Sequence, residues 1–207
     1  MSARSVRIKK LAVMAMLVAL SIVLVWLVHF PIFGPVAFLE YDPADIPILI
    51  GTFAYGPAAG LMLTVVASLI QGFTVSAQSG VMGIAMHIFA TSTLVLVAGT
   101  IYKFRHTRRG AVLALVCGTL AMTAAMMVFN HFFTPYFITA DVADTAAVAA
   151  NRAYVDTLLF PFIAPFNLIK AGVNSTVTFL VYKVVSKYIV HGDAFHKDVS
   201  SSLPNES

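Results

Sequence analysis

Apolar residues run almost unbroken over Leu11–Phe30, Val81–Tyr102, Ala111–Phe133 and Leu158–Tyr182. Each run reaches or exceeds the roughly 20 residues that a helix needs to cross about 30 Å of hydrocarbon. The pattern changes after the first run. A polar, proline-bearing stretch, Glu40–Asp45, is followed by apolar positions to about residue 73, interrupted at Gly56-Pro57. A Gly-Pro pair punctuates helices. Residues 45–73 therefore read either as one long broken helix or as two helices that meet there.

Charge decides between these. Eleven of the thirteen lysines and arginines fall in three clusters, Arg4–Lys10, Lys103–Arg109 and Lys183–Lys197, while acids gather at Glu40–Asp45 and Asp141–Asp156. The positive-inside bias puts all three basic clusters on the cytoplasmic face, which requires an even number of crossings between the first two. Two helices in 45–73 satisfy this, and one does not. The prediction is an all-α membrane protein of six transmembrane helices, about 11–30, 45–56, 57–74, 80–102, 111–137 and 158–188, with both termini cytoplasmic. Residues 1–190 form one bundle, and the polar stretch 191–207 is expected to be a disordered cytoplasmic tail. At about 1.5 Å per residue the second span covers only about 18 Å, so neighbouring protein must shield its ends. Asp45 is a candidate N-cap for it, with Pro47 tolerated in its first turn. Outer loops at about 31–44 and 138–157 are long enough to cover the mouth of a cavity.

Composition agrees: 59% of residues are hydrophobic and 11% charged, with a mean hydropathy of +0.89. A soluble domain carries about a quarter charged residues. The basic N-terminus before an apolar run imitates a signal peptide, but the run is too long for an h-region and no small-residue cleavage site follows. It is expected to be a retained first span.

Against this background one residue stands out. Lys170 lies deep in the last span, where a lysine costs on the order of 3 kcal/mol on insertion scales. Asn167, Lys170 and Asn174 share a helical face at i, i+3 and i+7. Asn130 and His131 lie toward the outer end of the fifth span, with Thr123 below them. Gln71 and His87 add polar groups in spans three and four. Such groups either bond one another across helices or line a binding site, and Lys170 with Asn167 favours a site. With no acid inside the spans, the lysine is expected to find its partner in a ligand, water or helix carbonyls. The same absence argues against an Asp/Glu proton relay. No phosphate loop, H-E-x-x-H, Cys/His cluster or nucleophile elbow occurs. No catalytic residue, metal site, cofactor or nucleic-acid partner is therefore expected, and the chain reads as a non-enzyme. Ala12, Ala15 and Ala19 line one side of the first span, a spacing that lets another helix approach closely.

The segments Leu39-Glu40-Tyr41-Asp42-Pro43-Ala44-Asp45-Ile46-Pro47, Gly56-Pro57-Ala58-Ala59-Gly60 and Pro165-Phe166-Asn167-Leu168-Ile169-Lys170 together resemble the riboflavin-binding S components (the RibU group) of energy-coupling factor (ECF) transporters. Ala15-Met16-Leu17-Val18-Ala19 is similar to the family's alanine motif. The resemblance implies a vitamin-capturing subunit of a bacterial plasma-membrane importer, working with one transmembrane coupling subunit and two ATPases. It implies that Asn130, Asn167 and Lys170 bond the polar parts of riboflavin, notably its ribityl hydroxyls, and that the first outer loop, with Leu39 and Tyr41, helps to sandwich its ring. Asn174, by its shared helical face, and Asp45, next to that loop, are counted with the site. It also implies that Ala12, Ala15 and Ala19 face the coupling subunit. The pattern departs at His87, where the family often carries Asn, and at Ala67-Ser68, where it often carries Lys-Asn. FMN or a flavin analogue, another vitamin, and a stand-alone vitamin carrier remain the alternatives.

Overall fold

The computed structural model describes residues 3–36, 39–77 and 80–189; the expected tail, 191–207, lies outside them. Seven α-helices follow in order: α1 Ala3–Leu27, α2 Asp45–Tyr55, α3 Pro57–Phe73, α4 Gly80–Phe104, α5 Arg108–Ile138, α6 Thr145–Leu158 and α7 Ala164–Ile189. The six predicted spans are α1 to α5 and α7. By length and composition α1, α4 and α5 are each able to cross a membrane. Bulky apolar side chains such as Trp26, Phe73, Phe104 and Leu180 lie two-thirds or more exposed, an arrangement that hydrocarbon, not water, makes favourable.

Residues 45–73 are two helices. Gly56 sits between them at φ 90°, ψ 171°, a region open in practice to glycine alone, and Pro57 opens α3 where its missing N–H costs nothing. Small residues bring α2, α3 and α4 together. A Cβ on either Gly60 or Gly99 would run into the Thr52 side chain, so Thr52 is held in a slot that only glycines leave open. Leu49, Leu63, Leu94, Val95 and Met122 fill the core beneath.

The structure differs from expectation in the connections. Between α1 and α2 a short hairpin pairs β1 (Phe30–Pro31) with β2 (Glu40–Tyr41), placing Phe30 opposite Tyr41. The stretch 138–157 is mostly helix, because Asp144 caps α6 by accepting from the backbone N–H of Ala146 and Ala147, and an alanine-rich first turn follows. Chain 159–163 then forms one π-helical turn around Pro161, so α7 begins six residues later than the predicted span. Val36, Leu39, Val155, Leu158, Ile163 and Phe166 form a separate apolar cluster, which fastens the first loop to α6 and the π turn. His131 ties α6 to α5 through Asp156 at 2.6 Å.

Asp45 is not the N-cap of α2. Ala44 holds that position and makes no side-chain capping bond. The Asp45 carboxylate is fully buried and turned toward α4 and α7 instead, for reasons that the site makes plain.

Candidate functional site

A cavity of about 300 Å³ opens among the first loop, α3, α4, α5 and α7. Its apolar wall carries Met82 and Met86 from α4 and Met122 and Met126 from α5, with Leu39 and Phe166. Both methionine pairs are spaced i, i+4, which stacks them on one face of their helices. Methionine is flexible and polarisable, and it packs well against a flat ring. The polar side is formed by Asn167 and Lys170 of α7, Asp42 and Glu40 of the first loop, Ser68 and Gln71 of α3, and His87 and Thr91 of α4.

Lys170 does have an acidic partner, contrary to the expectation from its span. Its Nζ donates to Asp42 Oδ2 at 2.6 Å, and the two side chains are only 10% and 12% exposed. The acid comes from the loop, which folds inward ahead of α2 as Asp42 Oδ1 accepts from the Ala44 N–H at 3.0 Å. Burial alone would push the Asp42 carboxyl up, but the Lys170 ammonium beside it, with the Ala44 N–H, holds it below the usual carboxylate range.

Behind this pair a second layer fixes the loop to the bundle. Asn174 Nδ2 donates to the Asp42 carbonyl at 3.1 Å and to Asp45 Oδ2 at 3.0 Å, while its Oδ1 accepts from Tyr41 Oη at 3.1 Å. Thr91 Oγ1 donates to Asp45 Oδ1 at 2.6 Å. Ser21 Oγ donates to the Ala44 carbonyl at 3.0 Å and accepts from Gln71 Nε2 at the same distance. Side chains of α1, α3, α4 and α7 thus all help to hold the segment 41–45.

The residues marked from sequence divide accordingly. Leu39, Asn167 and Lys170 line the cavity. Tyr41, Asp45 and Asn174 sit in the supporting layer. Asn130 is fully buried; its Nδ2 donates to the Met126 carbonyl at 2.8 Å and its Oδ1 accepts from Thr134 at 3.0 Å, one layer behind the methionine wall. Asn167 Nδ2 donates to the Ile163 carbonyl of the π turn at 2.8 Å. Thr123 bonds back to its own helix at the Thr119 carbonyl. Sequence reasoning missed Asp42 as the lysine's partner, because 128 residues separate them and no spacing rule bridges that gap. It also passed over the four methionines, whose i, i+4 spacing on two spans was the available signal. Among the described residues no group of three or more His, Cys, Asp or Glu side chains could hold a metal ion. Ala12, Ala15 and Ala19 are exposed on the outer face of α1, beside Met16 and Val23.

Residues 9–182 match the family model described as "ECF transporter, substrate-specific component". The chain is 27% identical over 191 residues to "Riboflavin transporter FmnP" of Bacillus subtilis (strain 168), covering 92% of this chain and 98% of that protein. It is 28% identical over 186 residues to "Riboflavin transporter RibU" of Staphylococcus aureus (strain TCH60), covering 87% and 92%. Its fold is similar to that reported under "Structure and mechanism of the S component of a bacterial ECF transporter", with a TM-score of 0.71 and 26% identity over 88% of this chain and 98% of that one.

Proposed function

Because this membrane protein belongs to the substrate-specific components of ECF transporters, we propose that it captures riboflavin and presents it to an energy-coupling module. The observation that carries this reading is the cavity's two-sided wall. Four methionines and Phe166 offer a flat apolar slot, and Asn167 and Lys170 stand at its polar edge. An isoalloxazine ring suits the first and a ribityl chain the second. The relatives named as riboflavin transporters support the same ligand.

Charge argues for the vitamin over its phosphate ester. Lys170 is the one lysine or arginine among the described residues on the cavity wall, and Asp42 already neutralises it. Glu40 adds a further carboxylate at the lining. Glu40 is itself paired at 2.7 Å with His29, which also lines the cavity, so a phosphate would meet charges already paired where it normally finds arginine or several cations.

Capture alone moves nothing across a bilayer, and the chain has no phosphate loop with which to use ATP. The energy comes from a coupling subunit and two ATPases, in a bacterial plasma membrane. The exposed Ala12, Ala15 and Ala19 give that subunit a shallow face to approach. Both termini lie on the cytoplasmic side, as the basic clusters favour.

The test is uptake of labelled riboflavin by cells that lack their own riboflavin transporter. Expression of this chain with a coupling module should restore uptake, and removing the module's ATPases should abolish it. Uptake that persists without them would mean a stand-alone carrier, and restored uptake of a different vitamin alone would mean another S component.

A further inference from the structure

His87 is held by its neighbours in a way that the supporting network does not use. Ser68 Oγ donates its single proton to the Thr64 carbonyl at 2.6 Å. Its 2.7 Å contact with His87 Nδ1 is therefore one in which the imidazole donates. A neutral His87 so fixed carries its proton on Nδ1 and a lone pair on Nε2.

Among the described residues nothing donates to that lone pair; Nε2 is buried without a hydrogen-bond partner. The donors around it are committed elsewhere. Thr91 Oγ1 on α4 and Asn174 Nδ2 on α7 both serve Asp45, and Lys170 serves Asp42. The charged groups facing the ring are Asp42 of the loop, Asp45 of α2 and Lys170 of α7. Asp45 Oδ1, 3.9 Å away, is an acceptor like Nε2 itself. The imidazole nevertheless forms part of the cavity wall, as Lys170 does. While it serves Asp42, the Lys170 ammonium keeps two further protons to donate to an incoming group.

An ammonium donor and an imidazole acceptor on one wall complement a hydroxyl, which accepts from the first and donates to the second. We propose that His87 is a specificity-determining residue that, through Nε2, accepts a hydrogen bond from a hydroxyl of the ligand whose oxygen is held by Lys170. This rests on the riboflavin reading above and names the polyol chain as the part read.

The test compares riboflavin with lumiflavin, which has the same ring but a methyl group in place of the polyol, on purified wild type and His87→Phe. The variant should lose about tenfold in affinity for riboflavin, the size of one lost hydrogen bond, and should bind lumiflavin within about twofold of wild type. Equal losses for both ligands would reduce His87 to packing, and no loss for either would remove it from the site. Nitrogen-15 NMR of the wild-type imidazoles at neutral pH gives a second check. An unprotonated His87 Nε2 before riboflavin is added supports the proposal; a protonated one, paired with Asp45, overturns it. A wild type that binds neither flavin overturns the riboflavin reading, and the hydroxyl contact with it.

Discussion

A lone ammonium on α7 would cost several kcal/mol in hydrocarbon, and Asp42 removes most of that cost by meeting it at 2.6 Å. The exchange makes each partner dangerous without the other. Lys170→Ala leaves the Asp42 carboxylate buried and uncompensated, which destabilises by about 3 kcal/mol, and it also removes a polar contact from the cavity. Thermal unfolding and riboflavin titration should therefore both suffer. The double variant Lys170→Met, Asp42→Asn should regain most of the thermal stability while staying at least about tenfold weaker for riboflavin. Equal instability of the single and double variants would show that the charge pair is not what the single change breaks. At this scale the sequence was partly legible. Lys170 was conspicuous because a charge in an apolar run is costly wherever it lies, and its face-mates Asn167 and Asn174 followed from helical periodicity. Asp42 was not, because a loop residue chooses its partner through the tertiary path of the chain. Asn130 looked equivalent to Asn167 in sequence, yet it faces Thr134 and the Met126 carbonyl, and no periodicity separates those environments.

The elements that position these residues are short and depend on their joints. Helix α2 has only 11 residues, and its first turn, with segment 41–45 before it, is pinned by side chains from α1, α3, α4 and α7. Its far end depends on Gly56. Any other residue there must adopt φ 90°, at a cost of about 1–3 kcal/mol. Gly56→Ala should lower the unfolding free energy by that amount in detergent, whereas Gly34→Ala, in open space at ordinary φ, should leave it nearly unchanged. Equal effects at the two glycines would show that the α2–α3 turn is not strained in the way its backbone implies. The Gly56-Pro57 break was readable because backbone chemistry is local. Helix α6 and the π turn were not: the apolar face of α6 is carried by only Val148, Val155 and Leu158, too sparse to stand out beside the long membrane runs, and the π turn is stabilised partly by Asn167 reaching back to Ile163.

In the whole molecule, a glycine-packed core of α2, α3 and α4 supports one polar-edged cavity, and an apolar outer surface faces lipid. The cavity is closed at one side by the first loop, which the cluster of Leu39, Val155 and Phe166 joins to α6 and the π turn. This is the build of a capture device, and membership of the ECF substrate-specific components agrees with it. Span number and class were legible because hydrocarbon thickness and charge asymmetry act on composition directly. The cavity's contents were not, because they depend on which faces of five elements converge. The most direct measurement is an equilibrium fluorescence titration of the purified chain with riboflavin and, separately, with FMN. Quenching should saturate at one riboflavin per chain, with FMN binding more weakly because its phosphate meets Glu40 and the neutralised Lys170. Absence of saturable riboflavin binding, or tighter binding of FMN, would contradict a site built for an uncharged flavin.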